Sequence, residues 1–446
     1  MDKNSLLSRI EYFEAKICVI GLGQVGLPTA LTFSKAGFHV IGHDNNKSLI
    51  KNLNENKSPF NEEGLTELLI ECKNNKKFFT NLGIVEAVGE ADVIIICVPT
   101  PLTEEISPDL RALKNVCESL SSISLKNKLI IIESSIPPGT FSKIVIPTLI
   151  SKYNKKDNFF TAFVPERLSP GQGLTEIRTT PRLIGVMDND SAELTKKLYE
   201  NIVTSKILIS SVKITEISKL VENTYRDVNV AFANEIGMVC EKYGIDVKEL
   251  IEVCNSHPRV NLLSPGPGVG GPCLPKDPYL LLNPQNGEKY DSKLISYSRQ
   301  INDFMPTHVT TLVESAFVNQ KKQISNSDIL ILGTSYKANV SDTRLSPSKE
   351  IIKKLNEKGA KVTVFDPISN ESFSEKNIKI ISESDTSYDA IIILTDHDEF
   401  KKLSLQKIKG ILKENSVMVD TRRIFSKTEV EELGISYISI GYIKQS

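Results

Sequence analysis

Short apolar runs alternate with longer amphipathic stretches through the first 205 or so residues. Six of these runs are rich in β-branched residues and largely apolar: KICVI (16–20), HVIGHD (39–44), VIIICV (93–98), LIIIES (129–134), FFTAFV (159–164) and RLIGV (182–186). A strand that is buried on both faces of a parallel sheet has this continuous apolar pattern. We therefore expect an α/β domain over residues 1–205.

The middle of the chain has a helical period instead. Neither Gly nor Pro occurs from Val212 to Ile236. Seven residues in this stretch recur at helical spacing: Ile214, Ile217, Leu220, Val221, Thr224, Val228 and Phe232. The spacing predicts one long helix, followed by more helix to about residue 255 and again near 291–318. Residues 206–318 are thus predicted to form an all-helical domain.

A polar stretch, NQKKQISNS (319–327), interrupts the helical pattern and is expected to be a linker. A second α/β series follows it, with four apolar runs: DILILG (328–333), AKVTVFD (360–366), AIIILT (390–395) and VMVDT (417–421). We expect a third domain over 319–446. The predicted architecture is α/β, then all-α, then α/β.

Composition and charge exclude several classes of protein. The 446 residues carry a formal net charge of −1, so neither nucleic acid nor a membrane is an expected partner. The apolar runs are too short to cross a bilayer, and the N-terminal MDKNSLLSRIEYFEAK lacks a signal-peptide core, so we expect a cytoplasmic protein. Seven scattered cysteines without a CxxC pair argue against disulfides and against a metal site. Those in apolar runs, such as Cys18 and Cys97, are expected to be inert core residues.

The stretch GLGQVG (21–26) is a GxGxxG that follows a predicted strand and opens a helical stretch. Gly21 would form the tight turn, Gly23 would let a pyrophosphate approach, and Gly26 would let the helix pack closely on the strand. Asp44 closes the next strand, where a carboxylate accepts hydrogen bonds from a ribose and repels a 2′-phosphate. This context favours a Rossmann domain that binds NAD rather than NADP, over a βα turn without a ligand.

Two further loops point to the same edge of the sheet. VPTP (98–101) and SSIPPGT (134–140) follow the apolar runs at 93–98 and 129–134. In such a sheet, the loops after the carboxyl ends of the strands face the cofactor.

Polar residues on the long helix and in several loops are candidates for substrate binding. Lys219, Asn223 and Arg226 are spaced i, i+4, i+7 and share one helix face, which is either a binding surface or a solvated stripe. Six more charged or titratable residues lie in loops at strand ends or beside glycines: Glu166, Arg167, His257, Arg259, Lys337 and Arg344. Cations in such loops bind phosphate and carboxylate groups, although a lone histidine such as His257 is more often structural.

The loop GPGVGGPCLPKDP (266–278) holds four glycines, four prolines and one cysteine. It is either a tight loop with a small apolar residue, or a loop whose backbone approaches a ligand with Cys273 beside it as a nucleophile.

Eight of these motifs, in this order, resemble the UDP-glucose/GDP-mannose dehydrogenase family: GLGQVGLP, VPTPL, SSIPPGT, PERLSPG, KLVEN, HPRVN, GVGGPCLPKD and SDTRLSPS. The resemblance runs from about residue 16 to 425. PERLSPG and HPRVN resemble the branch that oxidises UDP-N-acetylhexosamines, whereas UDP-glucose enzymes carry a PEF-type loop. Ser135 stands where the family has threonine, and Pro272 where this branch has histidine.

The resemblance implies roles for individual residues. It implies NAD contacts from Gly21, Gly23, Gln24, Val25, Gly26, Asp44, Pro99, Thr100, Ser135, Lys276 and Arg344. It implies catalytic roles for Cys273, Lys219, Asn223, Asp277 and Glu166. It implies substrate contacts from Arg167, Leu168, Lys219, Asn223, Arg226, His257, Arg259, Gly270 and Lys337.

The resemblance also implies the reaction, which takes a C6 hydroxyl to a carboxylate and passes two hydrides in turn to two NAD molecules. The implied substrate is UDP-N-acetylmannosamine, with its glucosamine epimer as the alternative. Because an aldehyde has no hydride to give until something adds to its carbonyl, Cys273 would add as a thiolate. An ordinary thiol pKa of about 8.5 leaves little thiolate at neutral pH, so nearby Lys276 would favour it. Family members dimerise through the helical region, so a homodimer is expected, with Arg259 reaching the partner's site.

Two different activities compete with this interpretation. A nucleotide-sugar binding protein without turnover would not need the thiol. A two-electron dehydrogenase of the 3-hydroxyacid type would need neither Cys273 nor the second α/β domain.

Overall fold

The computed structural model describes residues 2–442 except 61, 81–82, 152–157, 286–289, 370–375 and 378–386. These residues form two compact units: unit 1 comprises Met1–Glu222 and Lys276–Asp291, and unit 2 comprises Asn223–Pro275 and Ser292–Ser446. The predicted division into three domains at 205/206 and 318/319 is a different partition and stays a prediction.

Unit 1 is built on an eight-stranded sheet of order β3-β2-β1-β4-β5-β6-β7-β8, parallel except where β7 runs antiparallel to β6. Its strands are β1 (Lys16–Ile20), β2 (His39–His43), β3 (Phe78–Phe79), β4 (Val93–Ile96), β5 (Leu129–Ile132), β6 (Phe160–Phe163), β7 (Arg182–Val186) and β8 (Ile207–Ser211). Its first nine helices are α1 (Lys3–Glu11), α2 (Gly26–Ala36), α3 (Lys47–Asn54), α4 (Leu65–Asn74), α5 (Ile84–Glu90), α6 (Arg111–Leu120), α7 (Ile146–Leu149), α8 (Gly173–Thr179) and α9 (Asn189–Glu200). A π-helical turn, Phe141–Val145, leads into α7.

The inner strands of the unit 1 sheet are buried on both faces, which explains why they are apolar without alternation. In β1, Ile17 and Val19 belong to one apolar cluster, while Cys18 and Ile20 belong to the cluster on the other face. The parallel register pairs Ile20 with both His43 and Ile96, so the turns that follow β1, β2 and β4 leave the sheet at one edge.

The central helices confirm the helical prediction. They are α10 (Val212–Tyr243), which runs from unit 1 into unit 2, α11 (Val247–Asn255), α12 (Asp277–Leu282) of unit 1 and α13 (Lys293–Asn319). Residues 320–327 connect α13 to β9 without helix or strand, as the polar composition predicted.

Unit 2 contains a second sheet, entirely parallel, of order β11-β10-β9-β12-β13-β14. Its strands are β9 (Asp328–Leu332), β10 (Lys361–Phe365), β11 (Lys376–Asn377), β12 (Tyr388–Ile393), β13 (Leu412–Asp420) and β14 (Ser436–Ile438). The remaining helices are α14 (Pro347–Glu357), α15 (Asp398–Lys401), α16 (Leu405–Gly410) and α17 (Lys427–Glu432). The predicted fold class is therefore confirmed, with Rossmann-like parallel sheets at both ends of the chain and helices between them.

Candidate active site

The glycine turn of unit 1, Gly21–Gly26, lies between β1 and α2. Gly21 has φ +91°, and a Cβ there would lie 2.8 Å from the Cys97 carbonyl oxygen. A Cβ at Gly26 would lie 1.8 Å from the carbonyl oxygen of Gly21, whereas a Cβ at Gly23 would meet no heavy atom within 4 Å. The turn therefore needs glycine for its own shape at two positions and leaves open space at the third.

Asp44 follows β2 and faces the same turn. Its carboxylate accepts hydrogen bonds from the backbone N–H of Leu22 and of Asn46, both at 2.8 Å, and the residue is half-exposed. A carboxylate offers about four acceptor positions, so Asp44 keeps capacity for ribose hydroxyls. The first turn of α2 has no acidic residue, which leaves its positive end for a pyrophosphate. The residues present thus fit the adenosine half of NAD.

The loops after β4 and β5 are joined beside this turn. The Thr100 hydroxyl donates to the Ser135 carbonyl at 2.5 Å, and the Ser134 hydroxyl donates to the Val98 carbonyl at 2.6 Å. The Lys276 ammonium, at the start of α12, donates to the Thr100 carbonyl at 3.1 Å and lies 3.4 Å from the carboxylate of Asp277, which is fully buried. Thr100, Ser135, Lys276 and Asp277 are thus brought together in unit 1.

Glu216, on α10, is a site residue that the sequence analysis missed. Its buried carboxylate accepts the backbone N–H of Gly139 at 2.8 Å and of Phe141 at 2.9 Å. Burial raises the pKa of this carboxyl group despite those two hydrogen bonds. The only sequence signal was a charge within the helical period of α10. Glu216 fixes the SSIPPGT loop to the helix that carries Lys219.

The three polar residues predicted to share a face of α10 differ in their exposure. Lys219 is 7 % exposed and Asn223 6 %, whereas Arg226 is exposed. A solvated stripe therefore describes Arg226 but not Lys219 or Asn223. Burying an amine and an amide costs free energy unless each is hydrogen-bonded, so these two side chains are not part of a solvated helix face.

The loop after β6 is held by ion pairs. The carboxylate of Glu166 pairs with the guanidinium of Arg182, at the start of β7, and both side chains are buried. Arg167 pairs with Glu222 and donates to the Pro181 carbonyl at 3.0 Å. Leu168 packs against the apolar core of unit 1. Arg182 was not predicted, since its position in a strand gave no hint of its partner.

Two of the expected core cysteines behave differently. Cys18 is fully buried, and burial raises the pKa of its thiol to about 12, so it is the inert residue that was predicted. Cys97 follows β4 and donates its S–H to the carboxylate of Glu133 at 3.2 Å. Burial raises the pKa of the Cys97 thiol as well, so it stays protonated, but its surroundings are not purely apolar because a buried carboxylate lies next to it.

The cysteine loop belongs to unit 2 up to Pro275 and is held from two sides there. The N–H of Gly266 donates to the Asn234 side chain at 2.8 Å, and the N–H of Gly271 donates to the Arg344 carbonyl at 2.9 Å. A Cβ at Gly270 or Gly271 would lie 2.6 or 2.7 Å from the Tyr336 side chain. The close approach that these glycines permit is thus to Tyr336 of the protein itself.

Cys273 is half-buried within this loop. Burial, followed by the charges of Asp342 and Cys273, raises the pKa of Tyr336, so the phenol stays protonated. Tyr336 therefore packs against the glycines of the cysteine loop, and its hydroxyl is close enough to Cys273 for the charge of a thiolate there to affect it.

A buried polar chain supports the start of the loop. Asn234 donates to the Asn302 side chain at 3.0 Å, Asn302 donates to Asp227 at 2.9 Å, and Arg299 donates to Asp227 at 2.6 Å. These four side chains are at most 3 % exposed and join α10 to α13. Because the Gly266 N–H donates to Asn234 of this chain, the backbone of the cysteine loop is fixed in position at Gly266.

The turn after β9 repeats the geometry of the glycine turn. Gly333 has φ +87°, and the N–H of Thr334 donates to the Asp366 carboxylate at 2.7 Å. The same carboxylate accepts the N–H groups of Ile368 at 2.9 Å and Ser369 at 2.8 Å, and lies 3.4 Å from the Nε2 of buried His397. Asp366 is therefore fully engaged by the protein.

The remaining predicted residues lie on the surface of unit 2. Arg344 forms a two-point ion pair with Asp342, at 2.9 and 2.7 Å, and its side chain is 51 % exposed. Lys337 is half-buried in the loop after β9, while His257 and Arg259 are exposed after α11.

Across the described ranges, no three His, Cys, Asp or Glu side chains are grouped so as to hold a metal ion. No helix in the described part of the chain is both long and apolar enough for a membrane span.

Three family models match the chain in order. Residues 15–203 match the NAD binding domain of the UDP-glucose/GDP-mannose dehydrogenase family, residues 213–304 its central domain, and residues 330–427 its UDP binding domain.

Individual relatives agree with these matches over almost the full length. The chain is 39 % identical to a UDP-N-acetyl-D-mannosamine dehydrogenase of Methanocaldococcus jannaschii, covering 96 % of each protein. It is 31 % identical to an NDP-N-acetyl-D-galactosaminuronic acid dehydrogenase of Ralstonia nicotianae, covering 93 % of this chain and 97 % of the relative. A solved structure of UDP-D-ManNAc dehydrogenase from Pyrococcus horikoshii has a TM-score of 0.87 at 34 % identity, covering 96 % of this chain and 99 % of that one.

Proposed function

The chain belongs to the UDP-glucose/GDP-mannose dehydrogenase family and is an NAD-dependent UDP-sugar dehydrogenase, and from that premise we propose its substrate and mechanism. The proposed reaction oxidises the C6 hydroxyl of UDP-N-acetyl-D-mannosamine to the carboxylate of UDP-N-acetyl-D-mannosaminuronate. Each turnover reduces two NAD molecules and consumes one water. We place the reaction in the cytoplasm, where its product would supply polysaccharide synthesis.

NAD supplies the hydride acceptor in both oxidations. We assign its contacts to the turn 21–26, to Asp44, and to Pro99, Thr100, Ser135, Lys276 and Arg344. The open space at Gly23 and the free acceptor capacity of Asp44 support the first part of this assignment. The hydrogen bond from Lys276 to Thr100 supports the second.

Lys219 and Asn223 are proposed to hold the C6 hydroxyl and to order its proton, together with a water bound by Asp277. Their burial on one face of α10 supports this role, because an amine and an amide withdrawn from bulk water can hold a substrate hydroxyl in a fixed position. Glu166 is placed beside them by family resemblance, and its carboxylate forms a buried ion pair with the guanidinium of Arg182.

Cys273 carries the second oxidation in this proposal. Its thiolate adds to the aldehyde carbon, which forms a C–S bond and a thiohemiacetal. Loss of a hydride from that carbon leaves a thioester, and water then breaks the C–S bond to give the carboxylate and the free thiol.

The rest of the substrate is assigned by family resemblance. We assign contacts with the sugar and diphosphate to Arg167, Leu168, Arg226, His257, Arg259, Gly270 and Lys337. Within a three-part division, residues 319–446 would bind UDP, a role supported by the match of 330–427 to a UDP binding domain. Residues 1–205 would bind NAD, and 206–318 would carry Lys219 and the cysteine loop.

We also propose a homodimer that forms through α10. An apolar stripe follows this helix along its length, and six of its large side chains are exposed: Ile214, Val221, Tyr225, Phe232, Val239 and Tyr243. A groove between α10 and α13 continues the apolar surface and contains Phe232, Met238 and Phe304. A second copy of the chain would cover such a surface, and the exposed Arg259 is free to reach the partner's site. An enzyme that stays monomeric and fully active at high dilution would refute both points.

The anchored cysteine loop is the observation that carries the four-electron mechanism, since a two-electron dehydrogenase has no use for the thiol. Cys273→Ser retains size and polarity but removes the nucleophile and leaving group. We expect turnover to fall by at least about a thousandfold, with UDP-sugar affinity nearly unchanged. Mass spectrometry after incubation with substrate and NAD would show a product stalled at the aldehyde level. Carboxylate formation at the wild-type rate would mean that Cys273 is not the nucleophile.

A second candidate function is the oxidation of a different UDP-N-acetylhexosamine, because the Ralstonia nicotianae relative is named for a galactosaminuronic acid. Initial rates with the mannosamine, glucosamine and galactosamine substrates distinguish these possibilities. NADH yield per sugar tests the stoichiometry, since about two NADH per sugar are expected and one NADH with free aldehyde would contradict the mechanism.

A further inference from the structure

A buried cluster of ionisable groups lies beneath the carboxyl ends of β4 and β5 in unit 1, and nothing above gives it a function. Its centre is Glu133, the residue after β5, which is 2 % exposed. The Tyr199 hydroxyl donates to Oε1 of Glu133 at 2.6 Å. The Cys97 thiol and the Thr29 hydroxyl donate to Oε2 at 3.2 and 3.3 Å. Three donors around one carboxyl group satisfy it as a carboxylate.

The two donors on Oε2 flank the glycine turn. Thr29 lies in the first turn of α2, which begins at Gly26. Cys97 packs against the first glycine of the turn. A Cβ built on Gly21 would lie 2.8 Å from the carbonyl oxygen of Cys97. One oxygen of Glu133 therefore connects the helix that opens the cofactor site with the strand end that supports its first glycine.

The charged neighbours of Glu133 come from the adjoining strands. Arg182, on β7, pairs with Glu166 and places its guanidinium 5.4 Å from the centre of the Tyr199 ring. Burial, followed by the charge of Glu166, raises the pKa of Glu133 to about 7, while Arg182 and the hydrogen bonds from Tyr199 and Cys97 act in the opposite direction. Burial also raises the pKa of Cys97 and of Tyr199, so both remain protonated donors.

We infer that Glu133 is a positioning residue for NAD, whose carboxylate holds the glycine turn and the first turn of α2 in their binding shape through Cys97 and Thr29. Protonation puts a hydrogen on one carboxyl oxygen and removes part of its acceptor capacity. The bonds on Oε2 are the longer ones and are the first to be lost. NAD affinity should therefore fall as the pH falls through about 7.

The same carboxylate works against the stability of unit 1. The pKa of Glu133 is raised in the folded protein from its ordinary value of 4.5 to about 7. Its contribution to stability is therefore fully present below pH 4.5 and is lost as the pH rises through about 7. Glu133 thus aids binding in the pH range where it destabilises the fold, which a purely structural residue would not do.

Glu133→Gln tests this inference because its neutral side chain imitates the protonated form at every pH. We would titrate NAD into the full chain without UDP-sugar at pH 6, 7 and 8, and record thermal unfolding at the same values. The wild type should bind NAD about tenfold more tightly at pH 8 than at pH 6. The variant should bind at the weak level throughout, and its melting temperature should fall less between pH 6 and 8.

Two further variants make the result decisive. Thr29→Val leaves Glu133 in place and replaces the Thr29 hydroxyl donor with a methyl group of similar size. It should weaken NAD binding at pH 8 and leave the pH dependence of unfolding intact. Asp92→Asn is the matched control, since Asp92 is a carboxylate at the opposite end of β4 that accepts the N–H of Lys16 at 2.8 Å. It should leave NAD binding unchanged.

Wild-type NAD affinity for Glu133→Gln and Thr29→Val at every pH would overturn the inference. So would an equal loss of stability in Glu133→Gln at all three pH values with unchanged binding. Because the titration contains no sugar, these results do not depend on the proposed substrate.

Discussion

Two strand–turn–helix segments in this chain have the same backbone geometry, one after β1 and the other after β9. In each, a glycine with positive φ follows the strand, and the next N–H donates to an aspartate at the end of the neighbouring strand. Both residues are intermediate in exposure, but Asp44 accepts two backbone N–H groups, whereas the Asp366 carboxylate, on a side chain only 3 % exposed, accepts from Thr334, Ile368 and Ser369 and faces His397. In the turn of unit 1, the carboxylate of Asp44 therefore keeps acceptor positions for a ligand. In the same turn of unit 2, the carboxylate of Asp366 is used up by hydrogen bonds within the protein.

The aspartate of such a turn therefore does not by itself identify a dinucleotide site. What decides is how many donors the protein itself supplies to that carboxylate. Four predictions test this contrast between Asp44 and Asp366, starting with the largest expected effect.

Asp366→Asn should strongly destabilise unit 2. Each carboxylate oxygen of Asp366 accepts from the backbone, one from the Thr334 N–H and the other from the Ile368 and Ser369 N–H groups. In the variant, the amide NH₂ would replace one of these oxygens, so that two hydrogen-bond donors would face each other without an acceptor. We expect a loss of about 3 kcal/mol or more, measured as lost amide protection in the second sheet by hydrogen exchange. A variant with wild-type protection would show that Asp366 is not structural.

Asp44→Ala should have the opposite profile. The loss of charged hydrogen bonds to the ribose should lower kcat/KM for NAD by about tenfold to a hundredfold. Stability should change by about 1 to 2 kcal/mol, because the Asn46 N–H is exposed and can bond to water, whereas the Leu22 N–H belongs to a buried residue and loses its acceptor. Rates with NAD and NADP give the test. Equal efficiency of the wild type with both cofactors would mean that Asp44 does not contact the ribose.

Gly23→Ala and Gly333→Ala extend the contrast to the glycines. A methyl group at Gly23 meets no protein atom within 4 Å, so stability should hold to within about 0.5 kcal/mol while NAD affinity falls about tenfold. A methyl group at Gly333 would lie 2.5 Å from the Thr395 Cβ at φ +87°, so this variant should lose stability instead. Calorimetric titration of NAD together with thermal unfolding separates the two effects.

Acid should weaken the contribution of Asp366. Burial alone would raise the pKa of Asp366, but the hydrogen bonds from His397, Thr334 and Ser369 hold it well below its ordinary value of 3.8. The stabilisation is therefore present above pH 3.8 and is lost as the pH falls toward the folded pKa. The stability difference between wild type and Asp366→Asn should shrink by about 1 kcal/mol between pH 7 and pH 3. Denaturant unfolding at the two pH values measures it, and a constant difference would contradict the assignment.

Much of the fold was readable from the sequence because continuous apolar runs and helical periods are local signals. The predicted strands ran too far at their carboxyl ends, since Asp44, Cys97 and Glu133 each lie just beyond the last residue of a strand. The strand β8 was missed because two of the five residues of ILISS are polar and most of the strand is exposed at the sheet edge.

The site was readable only where its residues cluster in sequence. The glycine turn, Asp44 and the cysteine loop carry recognisable spacing, and the residue roles assigned to them stay predictions. Glu133 gave no signal, because its donors Thr29, Cys97 and Tyr199 are 104, 36 and 66 residues away. Gly270 and Gly271 also lie against Tyr336, which the sequence did not indicate, and the substrate contact expected of Gly270 stays a prediction.

His397 offers a natural spectroscopic reporter of unit 2. The Asn339 N–H donates to its Nδ1 at 2.9 Å, which leaves the ring proton on Nε2, facing Asp366. The residue is fully buried and is one of only five histidines in the chain. Its Nε2 proton should exchange slowly with water and appear as a separate downfield resonance in a proton NMR spectrum. Unit 2 can therefore be followed in the intact enzyme without an isotope label, through the NMR signal of one histidine proton.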